Sequence, residues 1–206
     1  MKDEISIRMS NEDAIAPPEM LFAPRPDKKG PKTIAIILVM GSILMVLVGW
    51  GDFKNSMADD FPDGDLDAIL GNYQNQDINV TAEEYQEYHD EVRENGAYSV
   101  RGYSLIIGGI LVLVGGIMLF RLNKLGVKLS LAGSIIGLAG GFGGTWMMAG
   151  VSKDMLPQEV TTVTELMSYL CGVCMAICVA LAALPLLNSS ARAALNQSVT
   201  LVNEEE

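Results

Sequence analysis

The chain has 206 residues, half of them apolar, yet carries a formal net charge of −11 at pH 7 from 25 acidic and 14 basic residues. High apolar content and high net charge do not coexist in an ordinary soluble domain, so the two must be segregated along the chain. One histidine and three cysteines exclude most zinc signatures and serine-type triads by count; no phosphate-cradling loop is present, and the acidic balance argues against nucleic acid.

Residues 1–32 place Pro17, Pro18, Pro24, Pro26 and Pro31 within fifteen residues. Proline at this density prevents regular structure, so 1–32 reads as a disordered, Pro-rich tail ending in an extended linker. Four apolar stretches follow, at 33–50, 103–120, 127–149 and 166–187, with no charge except Lys128 near one end. At ~1.5 Å rise per residue each can cross a hydrocarbon core of ~30 Å. The expected fold class is an all-α membrane protein: a four-transmembrane-helix bundle, both termini cytoplasmic, with a partly helical extracytoplasmic loop between helices 1 and 2. The first apolar run is longer than a secretory h-region and 32 residues precede it, so it is expected to be retained.

Orientation rests on lysine and arginine. Arg25, Lys28, Lys29 and Lys32 precede the first span, and Arg121, Lys124 and Lys128 crowd the connection between spans 2 and 3. Trp50, Tyr103, Trp146 and Tyr169 all fall at the opposite interface, where amphipathic rings settle. The reading is a multi-pass protein of the cell membrane, with the lipid bilayer as its first partner.

The loop over 51–101 holds thirteen of the acidic residues against Lys54, Arg93 and Arg101. Thr81-Ala82-Glu83-Glu84 matches a capping box, Val80 can staple to Tyr85, and Gly96 can end the run, which predicts a helix near 82–95. Tyr85, Tyr88, His89 and Val92 share one face of it. That face either packs on the loop and the bundle mouth or forms a candidate interaction face. Asn79-Val80-Thr81 is an N-glycosylation sequon. Asp59, Asp63, Asp65 and Asp67 give an incomplete calcium loop: Phe61 and Leu70 occupy two ligand positions, so an acidic turn before a short helix is the favoured reading and no metal or other cofactor is expected.

Gly102, Gly109 and Gly116 repeat at seven residues in the second span, as do Gly126, Gly133 and Gly140 in the third. An antiparallel hairpin centred on Arg121 would set Gly116 against Gly126, Gly109 against Gly133 and Gly102 against Gly140, allowing close backbone approach. Gly137 and Gly141 extend a second strip, open to helix 1, helix 4 or another copy of the chain. Adjacent Gly140-Gly141 also leave room for a break that exposes carbonyls, as a pore or substrate site would need.

All three cysteines lie in the fourth span, Cys171, Cys174 and Cys178, within about 60° of one face at 100° per residue. Cys171-Gly172-Val173-Cys174 near a helix end resembles the quinone-linked disulfide-forming membrane enzymes of the vitamin K epoxide reductase type. That resemblance implies thiol–disulfide exchange with a second thiol pair in an outer loop. Residues 51–101 contain no cysteine. Proton and ion pathways need charged groups inside the membrane, and none lies at mid-depth in the four apolar stretches. The final segment, 188–206, places Ala191, Leu195, Val199 and Val202 at near-helical spacing before Glu204-Glu205-Glu206, a weak amphipathic helix or a disordered cytoplasmic tail. The sequence thus predicts a non-enzymatic interaction or scaffold subunit with a protein partner or a second copy of itself. A small channel or transporter is the first alternative, and a thiol–quinone redox enzyme using Cys171 and Cys174 the second.

Overall fold

A computed structural model describes residues 26–61 and 63–203, the side chains of Asp63 and residues 197–203 excepted. The described chain is all-helical: α1 (Lys29–Met57), α2 (Asp63–Gln74), α3 (Ala82–Glu94), α4 (Ala97–Phe120), α5 (Lys124–Gly137), a π turn (Leu138–Phe142), α6 (Gly143–Met155), α7 (Gln158–Leu187) and α8 (Ser189–Asn203). Four helices, Lys29–Met57, Ala97–Phe120, Lys124–Met155 and Gln158–Leu187, are long and apolar enough to cross a membrane.

The Pro-rich tail expected over 1–32 lies outside the described residues up to residue 25, and its last residues are not tail. The Asp27 carboxylate accepts from the Lys29 and Gly30 amides at 2.9 and 3.1 Å. Those are donors the first turn leaves unpaired, and Pro31, in the same turn, has no amide to lose. The helix therefore starts at Lys29.

Helix α4 is the central element and packs along most of its length against α1 on one side and α5 on the other. The hairpin register departs from the expected glycine pairing: two pairs are off by one residue, and Gly140 meets Ser104 and not Gly102. A Cβ at Gly108 would sit 2.7 Å from the Gly133 carbonyl oxygen, and one at Gly115 2.7 Å from that of Gly126. Gly108 and Gly115, not Gly109 and Gly116, make the contact with α5. Gly102, Gly109 and Gly116 face α1, where added Cβ atoms would meet Phe53, Val46 and Val39. The cause is geometric: neighbouring glycines on a helix point 100° apart, so α4 carries two seven-spaced strips, each serving a different partner. Gly140 meets Ser104, Gly137 lies against Met45 of α1, and Gly141 meets Leu105 of α4.

The turn from α4 to α5 is a Schellman closure. Leu122 adopts φ 60°, its amide donates to Leu119 and the Asn123 amide donates to Met118; the Asn123 side chain then caps α5 by accepting from the Leu125 amide at 2.9 Å. The Gly140–Gly141 region does not break its helix. It widens into the π turn, with the Thr145 hydroxyl donating to the Gly141 carbonyl at 2.7 Å.

Of its thirty residues, α7 buries only Val160, Ser168, Ala182 and Pro185. Helix α8 folds back beneath the bundle: Ala191, Ala194 and Leu195 are buried, and Leu195 packs in a cluster with Ala35, Leu38, Val112, Leu119, Val127 and Ala182. Hydrophobic burial against protein thus orders this segment at least as far as Asn196. Val199 and Val202 have no described side chains, and Glu204–Glu206 lie outside the described residues.

Candidate functional site

The loop over 51–101 condenses into a module of α2 and α3 seated on one end of the bundle. The cap of α3 is complete: the Thr81 hydroxyl accepts from the Glu84 amide at 3.2 Å, and the Glu84 carboxylate accepts from the Thr81 amide at 2.9 Å. Those bonds also hold the Glu84 carboxyl below the usual carboxylate range.

The aromatic face of α3 points inward. Tyr88, His89 and Val92 are buried and Tyr85 is half-buried. Together with Val80, Tyr98, Met148, Leu156 and Val160 they form a core shared between the module, α4, α6 and the start of α7. The candidate interaction face Tyr85, Tyr88, His89 and Val92 is therefore corrected. Its four residues are occupied within the chain, because an aromatic stripe beside the bundle mouth finds enough apolar surface there to bury itself. Burial pushes the Tyr88 hydroxyl up to about 12; it also raises Tyr85, with Tyr73 and Tyr88 nearby, and Tyr73 itself.

His89 is central to a latch joining the module to the end of α1. Its Nε2 lies 3.4 Å from the Ala58 carbonyl oxygen and its Nδ1 3.2 Å from the Tyr98 hydroxyl. A carbonyl only accepts, so Nε2 carries the proton, and Nδ1 of the neutral ring accepts from Tyr98. Burial lowers the His89 pKa, opposed by the bond to Ala58. Arg93 Nη1 donates to the same Ala58 carbonyl and to Asp59, each at 2.8 Å. Gln86 closes the latch, donating to the Asp59 carbonyl at 3.3 Å and accepting from the Phe61 amide at 2.9 Å. The Phe61 ring stands edge-on to both Tyr85 and His89.

With the aromatic face buried, the acidic face is what the module presents. A groove of about 530 Å³ runs between α2 and α3, with Phe61 and Leu66 in its lining and Asp60, Glu83, Glu87 and Asp90 around it. The calcium candidates do not converge. Asp59 is paired with Arg93, Asp65 and Asp67 sit two positions apart on α2 and so about 200° apart around it, and Asp63 begins the same helix. Among the described residues no group of three or more such side chains could hold a metal ion.

Beneath the module lies a feature the sequence reading missed. Asp52 and Arg101 fall inside the first and second membrane-length helices and pair at 3.3 Å. Asp52 is buried; its Oδ2 and the Arg101 Nε have no hydrogen-bond partner, and Arg101 Nη1 also reaches the Met148 sulfur at 3.7 Å. The available signal was opposite charges placed two residues outside Trp50 and Tyr103, with no proline between charge and ring. A cavity of about 340 Å³ follows, lined by Arg101, Leu105, Met45, Cys171, Cys174 and Cys178 among others. The three thiols are free and account for every cysteine of the chain, so a second thiol pair for exchange does not exist within it.

Trp50, Tyr103, Trp146 and Tyr169 are exposed and ring the same end: Phe53 lies between Trp50 and Tyr103, and Trp146 contacts Phe142 and stands edge-on to Tyr169. At the other end stand Lys28, Lys29, Lys32, Arg121, Lys124 and Lys128. All-helical architecture with four membrane-length helices defines a multi-pass membrane protein. No family model, curated protein or solved structure matches the chain.

Proposed function

We propose that this is a non-enzymatic tetraspan protein of the cell membrane that serves as an interaction or scaffold subunit, engaging a positively charged partner through the acidic face of its module. In this reading both termini are cytoplasmic and the module lies outside, which the lysine and arginine bias and the one-sided aromatic ring support. The observation that carries the reading is the α2–α3 groove: four carboxylates around an apolar floor, on a module latched to α1. Such a surface steers cationic groups and offers Phe61 and Leu66 as anchors for an apolar side chain.

The test is recovery of partners by detergent-solubilised protein against a Glu83→Gln/Glu87→Gln variant. Loss of a specific partner in the variant, with salt-sensitive binding in the wild type, supports the reading; an identical partner set overturns it. For the topology, cysteine introduced at Asn75 in a cysteine-free background should react with a membrane-impermeant reagent on intact cells. Cysteine at Lys29 or Lys124 should not react, and labelling at Lys124 would reverse the orientation.

A second reading, a small channel or transporter, is favoured by the Asp52–Arg101 pair, because Arg101 also lines the cavity shared with Leu105 and the three thiols. Flux into vesicles that is lost on Asp52→Asn would support it.

A further inference from the structure

At the end opposite the module, an apolar groove of about 520 Å³ lies along α1 and α4, lined among others by Ile36, Met40, Ile117, Phe120 and Arg121. Lys32 completes the rim, its ammonium 5.5 Å from the centre of the Phe120 ring. The ion pairs among the described residues involve Arg93, Arg101 and Lys153, all at the module end. Lys32 and Arg121 belong to none of them. Among the described residues, two cations that enter no ion pair therefore border the same apolar groove, Arg121 in its lining and Lys32 against the Phe120 ring.

We propose that this groove is a site for one anionic phospholipid, its phosphate held between the Lys32 ammonium and the Arg121 guanidinium and its first acyl segment laid along Ile36, Met40 and Ile117. Three features point to a bound lipid over a general attraction to the surface. Guanidinium offers a planar fork that matches phosphate oxygens, and ammonium adds a mobile point charge. The Phe120 ring, part of the groove lining, holds the Lys32 ammonium at the groove by a cation–π contact. The groove runs along α1 from Ala35 to Met40, about 8 Å at the helical rise, so a chain attached to the phosphate has a track to follow. Basic pockets between membrane helices recognise anionic headgroups on these grounds.

The test compares lipids on the intact protein by native mass spectrometry and by melting in detergent. Phosphatidylglycerol should be retained on the order of tenfold better than phosphatidylcholine of the same chains, since each basic group near the phosphate contributes to the preference. It should also raise the melting temperature where glycerol 3-phosphate at equal concentration does not. Lys32→Gln/Arg121→Gln should erase the preference. Lys124→Gln/Lys128→Gln removes the same charge at the same end but off the groove, and should keep it. Equal retention of the two lipids, equal stabilisation by glycerol 3-phosphate, or loss of the preference in both double variants at wild-type helix content would overturn the site.

Discussion

The two ends of the bundle use charge in opposite ways. At the module end three of the four bases are consumed internally, Lys54 alone entering no ion pair among the described residues: Arg93 ties Asp59 and Ala58, Arg101 ties Asp52, and Lys153 ties Glu165 at 2.6 Å. What that end presents is surplus carboxylate. At the other end, among the described residues, Lys32, Arg121, Lys124 and Lys128 enter no ion pair, and the closing element is apolar: Leu195 of α8 against Leu38 and Leu119. Charge spent on internal contacts fixes the geometry of an attached module, whereas unspent charge is available to whatever lies outside. One end is built for holding a shape and the other for meeting a surface.

The sharpest break in that contrast should come from Asp52→Ala, which strands the Arg101 guanidinium. Removing one member of a buried pair costs about 3–5 kcal/mol, and with Arg101 a fifth exposed the lower figure is expected. Asp52→Ala/Arg101→Met should recover most of it in thermal unfolding in detergent; a single variant as stable as wild type would show the pair to be dispensable.

Next in size is the middle of the bundle, which both ends share. Gly133→Leu drives a side chain into the Gly108 carbonyl, 2.6 Å from the first added carbon, and should destabilise by about 1–3 kcal/mol. Gly109→Leu first meets the movable Val46 side chain of α1 and should be milder. Reversal of that order would contradict the two-strip arrangement of α4.

Smaller and confined to the module is Thr81→Ala, expected to cost about 1 kcal/mol through loss of the cap. Amide exchange across Glu83–Glu94 should rise while α4 and α5 stay unchanged. Smallest is a pH effect at His89. Because its folded pKa is lowered, the unfolded state takes up the proton first as pH falls, so the latch is fully stable above about 6.5 and weakens below it. Exchange around Ala58 and Tyr98 should increase between pH 7.5 and 5.5, and His89→Gln should flatten the response.

Helix existence was legible because span length and apolar run are local properties of the chain. The cap on α3 was legible for the same reason: Thr81 and Glu84 need only each other. Direction was harder. The periodicity of Tyr85, Tyr88, His89 and Val92 defines a face, but what covers it is a long-range fact supplied by Met148 of α6 and Val160 of α7. The glycine repeat shows the same limit. Gly108-Gly109 and Gly115-Gly116 present two strips at one spacing, and only the helices flanking α4 decide which strip meets which. Asp52 and Arg101 escaped because an apolar run was equated with a helix, whereas α1 and α4 continue past the apolar run at the module end. No sequence period announces the groove at Lys32 and Arg121 either, since its walls come from two helices eighty residues apart.

Asn95 and Gly96, the latter with φ 79°, are the two residues between α3 and α4, and Ala58 is bound by α3 directly after the end of α1. The module is thus tethered on both strands without slack. A pull or twist delivered to α3 by a docked partner passes through these two junctions as torque into the two helices on either side of the Asp52–Arg101 pair.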